Sequence, residues 1–220
     1  MKLLGKEIRG VIFDIDGVLL DSMKIWTDLG ARYLIKHGKE PQPGLAEILF
    51  SMSMEQGAQY LQENYLQEQT PAEIAEGLKA LLKDFYFEEV QAKNGALELM
   101  QKLHQQGIHM SAATSSPRAH VEAALARNHM LEYLDRILTS EEVGSSKHSP
   151  EIYHQAVQLM NTRPEETCVF EDSLYALATA KAAGYFTVGV FDKDGEPDQN
   201  GMKQTADIYI KDMSEMQKKF

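Results

Sequence analysis

The sequence contains a single cysteine, Cys168, among its 220 residues. One cysteine cannot form an internal disulfide, so a disulfide-stapled secreted scaffold is excluded and a reducing compartment is expected. No apolar run approaches the roughly 18 residues that span a bilayer, and segment 1–10 lacks the apolar stretch of a signal peptide. We therefore predict a cytoplasmic protein without a membrane partner.

Basic residues are also scarce, since 22 Lys and Arg stand against 33 Asp and Glu and give a formal net charge of −11. This excess of negative charge opposes binding to nucleic acid, so no nucleic-acid partner is expected. The remaining composition, 43% hydrophobic and 25% charged residues, is typical of a globular protein. The length fits one large domain or one domain with a smaller insertion, and we expect a monomer.

The hydrophobic pattern changes its period after the first predicted strand. Residues 9–16 are apolar and β-branched and predict a short buried strand. The spacing that follows predicts helices over 21–36, 45–50, 54–66 and 71–88. No strand is evident between 18 and 92, so this segment is predicted to be a small helical bundle. Trp26 is predicted to lie in its core, with stacking on a substrate as the alternative.

Strands and helices alternate in the rest of the chain. The predicted strands are 108–114, 136–139, 167–171, 186–191 and, at an edge, 207–210. The predicted helices are 95–105, 117–127, 150–160, 174–183 and 212–219, and 193–201 is predicted to be a polar loop. Such alternation predicts an α/β fold with a parallel sheet and helices on both faces, into which the helical segment is inserted.

Oxygen-bearing and charged side chains follow several predicted strands. They are Asp14 and Asp16, then Thr114, Ser115 and Ser116, then Lys147, and finally Glu171 and Asp172. They are expected to converge, because ligands of parallel sheets lie beyond the carboxyl ends of the strands. Hard oxygen ligands at this density suit Mg²⁺ better than zinc. Each charge–charge interaction at about 4 Å is worth on the order of 4 kcal/mol, so both a cation and the lysine are needed to offset the repulsion.

The ordered set of DIDG at 14–17, AATSS at 112–116, Lys147 ahead of SPEIY, and EDS at 171–173 resembles the haloacid dehalogenase superfamily. The resemblance is to the branch with an α-helical cap that includes β-phosphoglucomutase and many small-molecule phosphatases. It implies a Rossmann-like three-layer parallel-sheet core over 1–17 and 93–220, with a helical cap over 18–92. It also implies a Mg²⁺-dependent phosphatase of a small-molecule phosphate ester, such as a sugar phosphate or nucleotide.

The resemblance also implies a role for each matching residue. Asp14 would be the nucleophile that forms an aspartyl-phosphate, and Asp16 the general acid and base. Thr114 and the amide of Ser115 would hold the phosphoryl group, with Ser116 and Arg118 as further candidates and Lys147 as the bridge to Asp14. Mg²⁺ would be held by Asp14, the backbone carbonyl of Asp16, Asp172 and Glu171, the last beside or within the coordination sphere.

Two alternatives stay open. A sugar phosphomutase of the β-phosphoglucomutase type shares the core motifs, but segment 44–61 contains no Arg or Lys where such caps carry a phosphate-binding arginine. Lys24 and Arg32 are the cations left to replace it. A phospho-accepting signalling domain of the receiver type is the other alternative, and the helical insertion argues against it. Asp16 itself argues against haloacid dehalogenation.

Overall fold

The computed structural model describes residues 2–3, 5–50, 52–217 and 219. Contacts between Cα atoms divide the chain into two compact units, one formed by 1–21 with 90–220 and the other by 22–89. The predicted boundaries of core and insertion, at 17/18 and 92/93, lie a few residues from these positions.

The larger unit is built on a six-stranded parallel sheet. Its N-terminal hairpin pairs β1 (Lys2–Leu3) with β2 (Lys6–Glu7) in an antiparallel manner. The strands of the main sheet are β3 (Gly10–Phe13), β4 (His109–Thr114), β5 (Arg136–Thr139), β6 (Thr167–Glu171), β7 (Phe186–Val190) and β8 (Ile208–Ile210). Their order is β5-β4-β3-β6-β7-β8, and every neighbouring pair is parallel. The central position of β3 puts its carboxyl end between those of β4 and β6.

The central strands are apolar because they are buried along their whole length. Every residue of β3, β6 and β7 is buried, which is typical of a sheet that is covered on both faces. Cys168 lies in β6, fully buried, between Val11 of β3 and Phe186 of β7. Burial raises the pKa of this thiol well above its usual value, so Cys168 is an inert part of the core.

The smaller unit consists of helices. They are α1 (Met23–Lys36), α2 (Leu45–Phe50), α3 (Met54–Asn64) and α4 (Pro71–Asp84), and α4 continues into a π-helical turn over Phe85–Glu89. Ser53 and Thr70 start α3 and α4 with capping boxes, which satisfy amides that the first helical turn leaves unpaired. Helix α1 packs on α2 and on α4, and α3 packs on α4.

An apolar cavity of about 250 Å³ lies within this helical unit. Trp26, Leu49, Met52 and Leu61 are among the residues that line it. Trp26 is 44% exposed, so the prediction that it belongs to the helical core is wrong. The reason is that this face of α1 borders the open cavity instead of packing against another helix.

Helices α5 to α11 belong to the larger unit, and most of them lie between successive strands. They are α5 (Ala96–Gln105), α6 (Arg118–Arg127), α7 (Ser140–Val143), α8 (Glu151–Met160), α9 (Leu174–Ala182), α10 (Gln199–Thr205) and α11 (Ser214–Gln217). Helix α8 packs on β3, β4 and β5, and α9 packs on β6 and β7. None of the helices described in either unit has the length and apolar character needed to cross a bilayer.

The predicted fold class, an α/β parallel-sheet core with an inserted helical segment, is confirmed. The bounds of β5 and β6 are those predicted. The hairpin of β1 and β2 was not predicted, and α10 begins in the segment that was predicted to be a polar loop. The predicted last helix is shorter, Ser214–Gln217, and the part of that prediction at residue 218 lies outside the described residues.

Candidate active site

Most of the predicted site residues lie where adjacent strands end. Asp14 directly follows β3, Thr114 ends β4, Glu171 ends β6, and Asp172 comes next. Because β4, β3 and β6 are neighbours, their carboxyl ends bring these side chains to one edge of the sheet. The amide of Asp14 donates to the carbonyl of Phe170 at 2.9 Å, which joins the ends of β3 and β6.

Lys147 lies in the loop between α7 and α8 and is only 3% exposed. Its Nζ donates to Oδ1 of Asp14 at 2.5 Å and to Oε1 of Glu171 at 2.8 Å. Burial alone lowers the pKa of Lys147, but the carboxylates of Asp14 and Glu171 outweigh it and hold the pKa above its usual value. The lysine is therefore a fixed positive charge between the ends of β3 and β6.

Three buried carboxyl groups surround this positive charge. Asp14, Glu171 and Asp172 each place an oxygen within 4.8 Å of the others. Desolvation raises the pKa of Asp14 well above its usual value despite Lys147. Burial and the neighbouring Glu171 raise the pKa of Asp172 to about 7. More negative charge is gathered here than one lysine balances.

This set of residues fits a divalent cation. Carboxylate oxygens are the ligands that hard cations prefer. In addition, Oε2 of Glu171 is buried and has no hydrogen-bond partner, although a buried polar atom without a partner is costly. A cation would supply both the missing partner and the missing positive charge.

Asp16 lies in the turn that follows Asp14 and is half-buried. Its Oδ2 accepts a hydrogen bond from Oγ of Ser116 at 2.6 Å. Gly17 has φ 76°, a conformation that residues with a Cβ rarely adopt, and its amide donates to the carbonyl of Leu20 at 3.0 Å. The tight turn thus brings Asp16 against the segment that follows β4.

The hydroxyl residues after β4 form a compact turn. Oγ1 of buried Thr114 accepts a hydrogen bond from the amide of Ser116 at 3.0 Å. Oγ of Ser115 is exposed and lies 3.1 Å from Oγ of Ser140. Helix α6 begins directly after this turn, so amides of its first turn are available to an anion. The roles of Thr114, Ser115 and Ser116 as phosphate ligands stay predictions.

The hydrogen bonds of Arg118 are made to residues of α6, β5 and α7. Its Nε and Nη2 donate to the two oxygens of Glu142, both at 2.5 Å, and Nη1 donates to Glu122 at 2.9 Å. Nη2 also donates to the carbonyl of Ile137 at 2.7 Å. The hydrogen bonds with Arg118 lower the pKa of Glu142 to about 2. The structure thus ties Arg118 to the segment around β5 and α7, and its predicted contact with substrate stays a prediction.

The family model of haloacid dehalogenase-like hydrolases matches residues 11–190. The chain belongs to this family. The match starts in β3 and ends with β7, so it includes every strand end that supplies a predicted site residue. The predicted family and the predicted enzyme class, a hydrolase, are confirmed.

Several curated relatives of the chain are phosphatases. Validoxylamine A 7'-phosphate phosphatase of Streptomyces hygroscopicus is 29% identical over 211 residues, which cover 93% of this chain and 94% of that protein. A phosphorylated carbohydrates phosphatase of Thermotoga maritima is 27% identical over 177 residues, 80% of this chain and 82% of that protein. A solved Thermotoga maritima structure, assigned as a β-phosphoglucomutase, superposes with a TM-score of 0.85. At 24% identity, over 97% of this chain and 100% of that one, this structure shows the fold alone.

Two charged residues beside this candidate site were not predicted. Nζ of Lys93 donates to the carbonyls of Gly17 and Phe191 at 2.8 and 3.0 Å and to Oδ2 of Asp192 at 2.7 Å. Asp192 is buried and follows β7 by two residues, so the rule that functional groups lie beyond strand ends could have found it. Lys93 has no such signal, since an isolated lysine ahead of a turn is ordinarily a surface residue.

Tyr153 is a third residue beside this site that was not predicted. It lies in the SPEIY segment on α8, is fully buried, and donates its hydroxyl to Oε1 of Glu171 at 2.8 Å. The sequence offered no signal for this contact, because Glu171 lies on a strand that is distant in the sequence from α8.

Proposed function

We propose that the chain is a Mg²⁺-dependent phosphatase of small phosphorylated metabolites, of the sugar-phosphate or nucleotide type. The observation that carries the proposal is the 2.5 Å contact of Lys147 with Asp14 inside an acidic cluster. A carboxylate attacks an anionic phosphoryl group only when positive charge offsets their repulsion. The names of the curated phosphatases support a phosphate monoester of a carbohydrate-like compound.

In the proposed first step, a carboxylate oxygen of Asp14 attacks phosphorus and the bond from phosphorus to the leaving oxygen breaks. Asp16, in its protonated form, gives its proton to that oxygen, so the alcohol departs neutral. Lys147, Thr114 and the amide of Ser115 stabilise the phosphoryl oxygens in the transition state. The product on the protein is a mixed anhydride, the aspartyl-phosphate of Asp14.

In the second step, Asp16 acts as the base. It takes a proton from water while the water oxygen bonds to phosphorus and the bond from phosphorus to Asp14 breaks. Inorganic phosphate leaves, and the carboxylate of Asp14 and the proton on Asp16 are restored. The hydrogen bond from Ser116 to Asp16 orients the carboxyl group in both steps.

Asp14, the backbone carbonyl of Asp16, Asp172 and Glu171 are the residues proposed to hold Mg²⁺. The bound ion supplies positive charge that lowers the repulsion between phosphoryl oxygens and the attacking carboxylate.

The helical unit, residues 22–89, is proposed to select the substrate. The two cations that could anchor a second phosphate are already paired: Lys24 lies 3.6 Å from Asp28, and Arg32 lies 2.8 Å from Glu89. Helices α2 and α3 contain no Lys or Arg. Since a mutase must hold a second phosphate firmly, these observations favour the phosphatase.

The test is an assay of the purified full chain with Mg²⁺ against p-nitrophenyl phosphate and a panel of sugar phosphates and nucleotides. We expect release of inorganic phosphate that EDTA abolishes and added Mg²⁺ restores. Conversion of β-glucose 1-phosphate to glucose 6-phosphate faster than phosphate release would establish the mutase instead. Stable phosphorylation of the chain without turnover would favour the receiver-type domain. The monomeric state and the cytoplasmic location stay predictions.

A further inference from the structure

The two carboxylate oxygens of Glu171 differ in their hydrogen bonds. Oε1 accepts two hydrogen bonds, from Nζ of Lys147 and from the hydroxyl of Tyr153, both at 2.8 Å. Oε2 is equally buried and accepts none. Because both donors bind the same oxygen, they hold the side chain of Glu171 in one orientation.

Tyr153 is well suited to hold that orientation. Its ring is fully buried in the core cluster that includes Ile152, Ala156 and Val169, and therefore cannot change its position without disturbing the packing. Lys147 alone is a weaker restraint on Glu171, because the same ammonium also binds Asp14.

Glu171, whose Oε2 has no partner, is a member of the acidic cluster. Glu171 contributes to the group in which Asp14 and Asp172 also place an oxygen within 4.8 Å. Two donors on Oε1 leave only the lone pairs of Oε2 for a ligand, and an unpaired buried carboxylate oxygen is stabilised by a cation.

We propose that Tyr153 is a positioning residue of the cation site: with Lys147 it fixes Oε1 of Glu171 and so presents Oε2 to the cation held by Asp14 and Asp172. This inference rests on the cation requirement in the proposed function. It assigns a role to a core tyrosine that touches neither the substrate nor the ion.

The test is Mg²⁺ binding to the full chain, measured by titration calorimetry for wild type and Tyr153→Phe. Removing an outer contact of a metal ligand typically weakens binding 10- to 100-fold, and we expect the Kd to rise by about tenfold or more. At saturating Mg²⁺ the KM for p-nitrophenyl phosphate stays within about twofold, since binding of the ion and not of the substrate is affected.

Tyr185→Phe is the matched control. Tyr185 is also buried and packs 5.9 Å from Tyr153, but its hydroxyl contacts Nδ1 of His154 at 2.9 Å and not Glu171. Each variant thus removes one tyrosine hydroxyl from the same part of the core. We expect the Kd for Mg²⁺ to stay at the wild-type value, even where both variants lower the melting temperature. Equal Kd values for wild type and Tyr153→Phe would overturn the proposal.

A double-mutant cycle asks whether Tyr153 acts through Glu171. In a Glu171→Gln background, Tyr153→Phe is expected to cause no further loss of Mg²⁺ affinity, and a full additional tenfold loss would contradict the mechanism. A crystal structure of the wild-type chain with Mn²⁺ is a further test, and it does not depend on the folding of any variant. Oε2 of Glu171 should face the ion, directly or through one water, and an ion facing Oε1 would overturn the inference. A wild type that binds Mg²⁺ without releasing phosphate would overturn the phosphatase and leave the Kd comparison valid, whereas failure to bind Mg²⁺ overturns both.

Discussion

Asp14 is buried beside Glu171 and Asp172, an arrangement that opposes folding because each ionised carboxylate loses its hydration. The effective penalty for burying an ion is several kcal/mol, and the attraction of Lys147 offsets only part of it. The site therefore stores electrostatic strain, which a bound cation would relieve. Substitution of a residue that is strained for the sake of activity often leaves the stability of the fold unchanged or raises it.

Asp14→Asn is accordingly expected to abolish turnover without loss of stability. Phosphate release should fall by at least about a thousandfold, since an amide forms no acyl phosphate. In the absence of Mg²⁺ the melting temperature should equal or exceed that of wild type, which differential scanning calorimetry measures. Asp135→Asn, on an exposed residue paired with His109, is the control and should keep full activity. Residual hydrolysis above a few per cent would remove Asp14 from the nucleophile role.

Ser116→Ala tests the orientation of Asp16. Loss of the 2.6 Å hydrogen bond is expected to lower kcat by about tenfold, with little change in KM, because proton transfer and not substrate binding is affected. Steady-state kinetics with p-nitrophenyl phosphate measures both constants. Ser145→Ala, in the exposed loop before Lys147, should match wild type. A rise in KM at constant kcat would indicate that Ser116 binds the phosphate instead.

Among the elements of the fold, the loop after β7 is held in part by the side chain of Lys93. Lys93 joins this loop to the turn after β3 through Gly17, Phe191 and Asp192. Lys93→Met leaves Asp192 buried without its counter-charge, and we expect a loss of about 3 kcal/mol in the free energy of unfolding, measured in urea. Lys193→Met, at an exposed neighbour 3.8 Å from Asp194, should change it by less than about 0.5 kcal/mol. A loss under about 1 kcal/mol for Lys93→Met would show that the loop is held by other contacts.

The contacts of Asp207, which precedes β8, with Thr187 of β7 make the free energy of unfolding depend on pH. Asp207 accepts hydrogen bonds from the amide and hydroxyl of Thr187 at 2.9 and 3.0 Å and from Lys181 at 2.5 Å. Burial alone would raise the pKa of Asp207, but these hydrogen bonds outweigh it and lower the pKa. A carboxyl group with a lowered pKa in the folded state stabilises above its unfolded pKa of about 3.9, and this stabilisation is lost as the pH falls through the folded value.

Asp207→Asn should therefore cost about 1 kcal/mol in the free energy of unfolding at pH 7, and the difference from wild type should shrink below about pH 4. Urea denaturation at both pH values measures this difference. Asp135→Asn, at an exposed ion pair, should cost less than about 0.5 kcal/mol at either pH. A difference that persists unchanged at pH 3 would mean that the ionised form of Asp207 contributes nothing.

How much of these elements the sequence predicts depends on their length and period. Strands β5 and β6 each have an apolar centre bounded by polar or charged residues, and their ends were predicted to the residue. The hairpin of β1 and β2 has two residues in each strand, too few for a period to be read. Helix α10 buries only Met202 and begins with a cap at Asp198, so it has no apolar stripe. Pairings such as Tyr153 with Glu171 join residues on different elements, and only the packed side chains define them.

Across the whole molecule, the chain leaves the sheet unit once and re-enters it once. The leaving and returning segments are paired with each other, through the amide of Asp21 to the carbonyl of Gln91 at 2.9 Å and the amide of Lys93 to the carbonyl of Leu19 at 2.8 Å. Leu20 and Ala92 form an antiparallel bridge between the same segments. An insertion whose two ends are joined in this way adds little loop-closure entropy to the folding of the sheet unit.

The buried thiol of Cys168 is a built-in probe of how often the sheet opens. A labelling reagent reaches this sulfur only when β3 or β7 separates from β6, so the labelling rate reports how often the sheet opens. Ligands that bind at the ends of β3 and β6 stabilise the closed form by mass action. Mg²⁺ together with inorganic phosphate is therefore expected to slow labelling by a thiol reagent such as dithionitrobenzoate, followed by absorbance. Labelling at the rate of a small free thiol would contradict this, and slowing in wild type but not in Asp14→Asn would locate the ligand without any turnover.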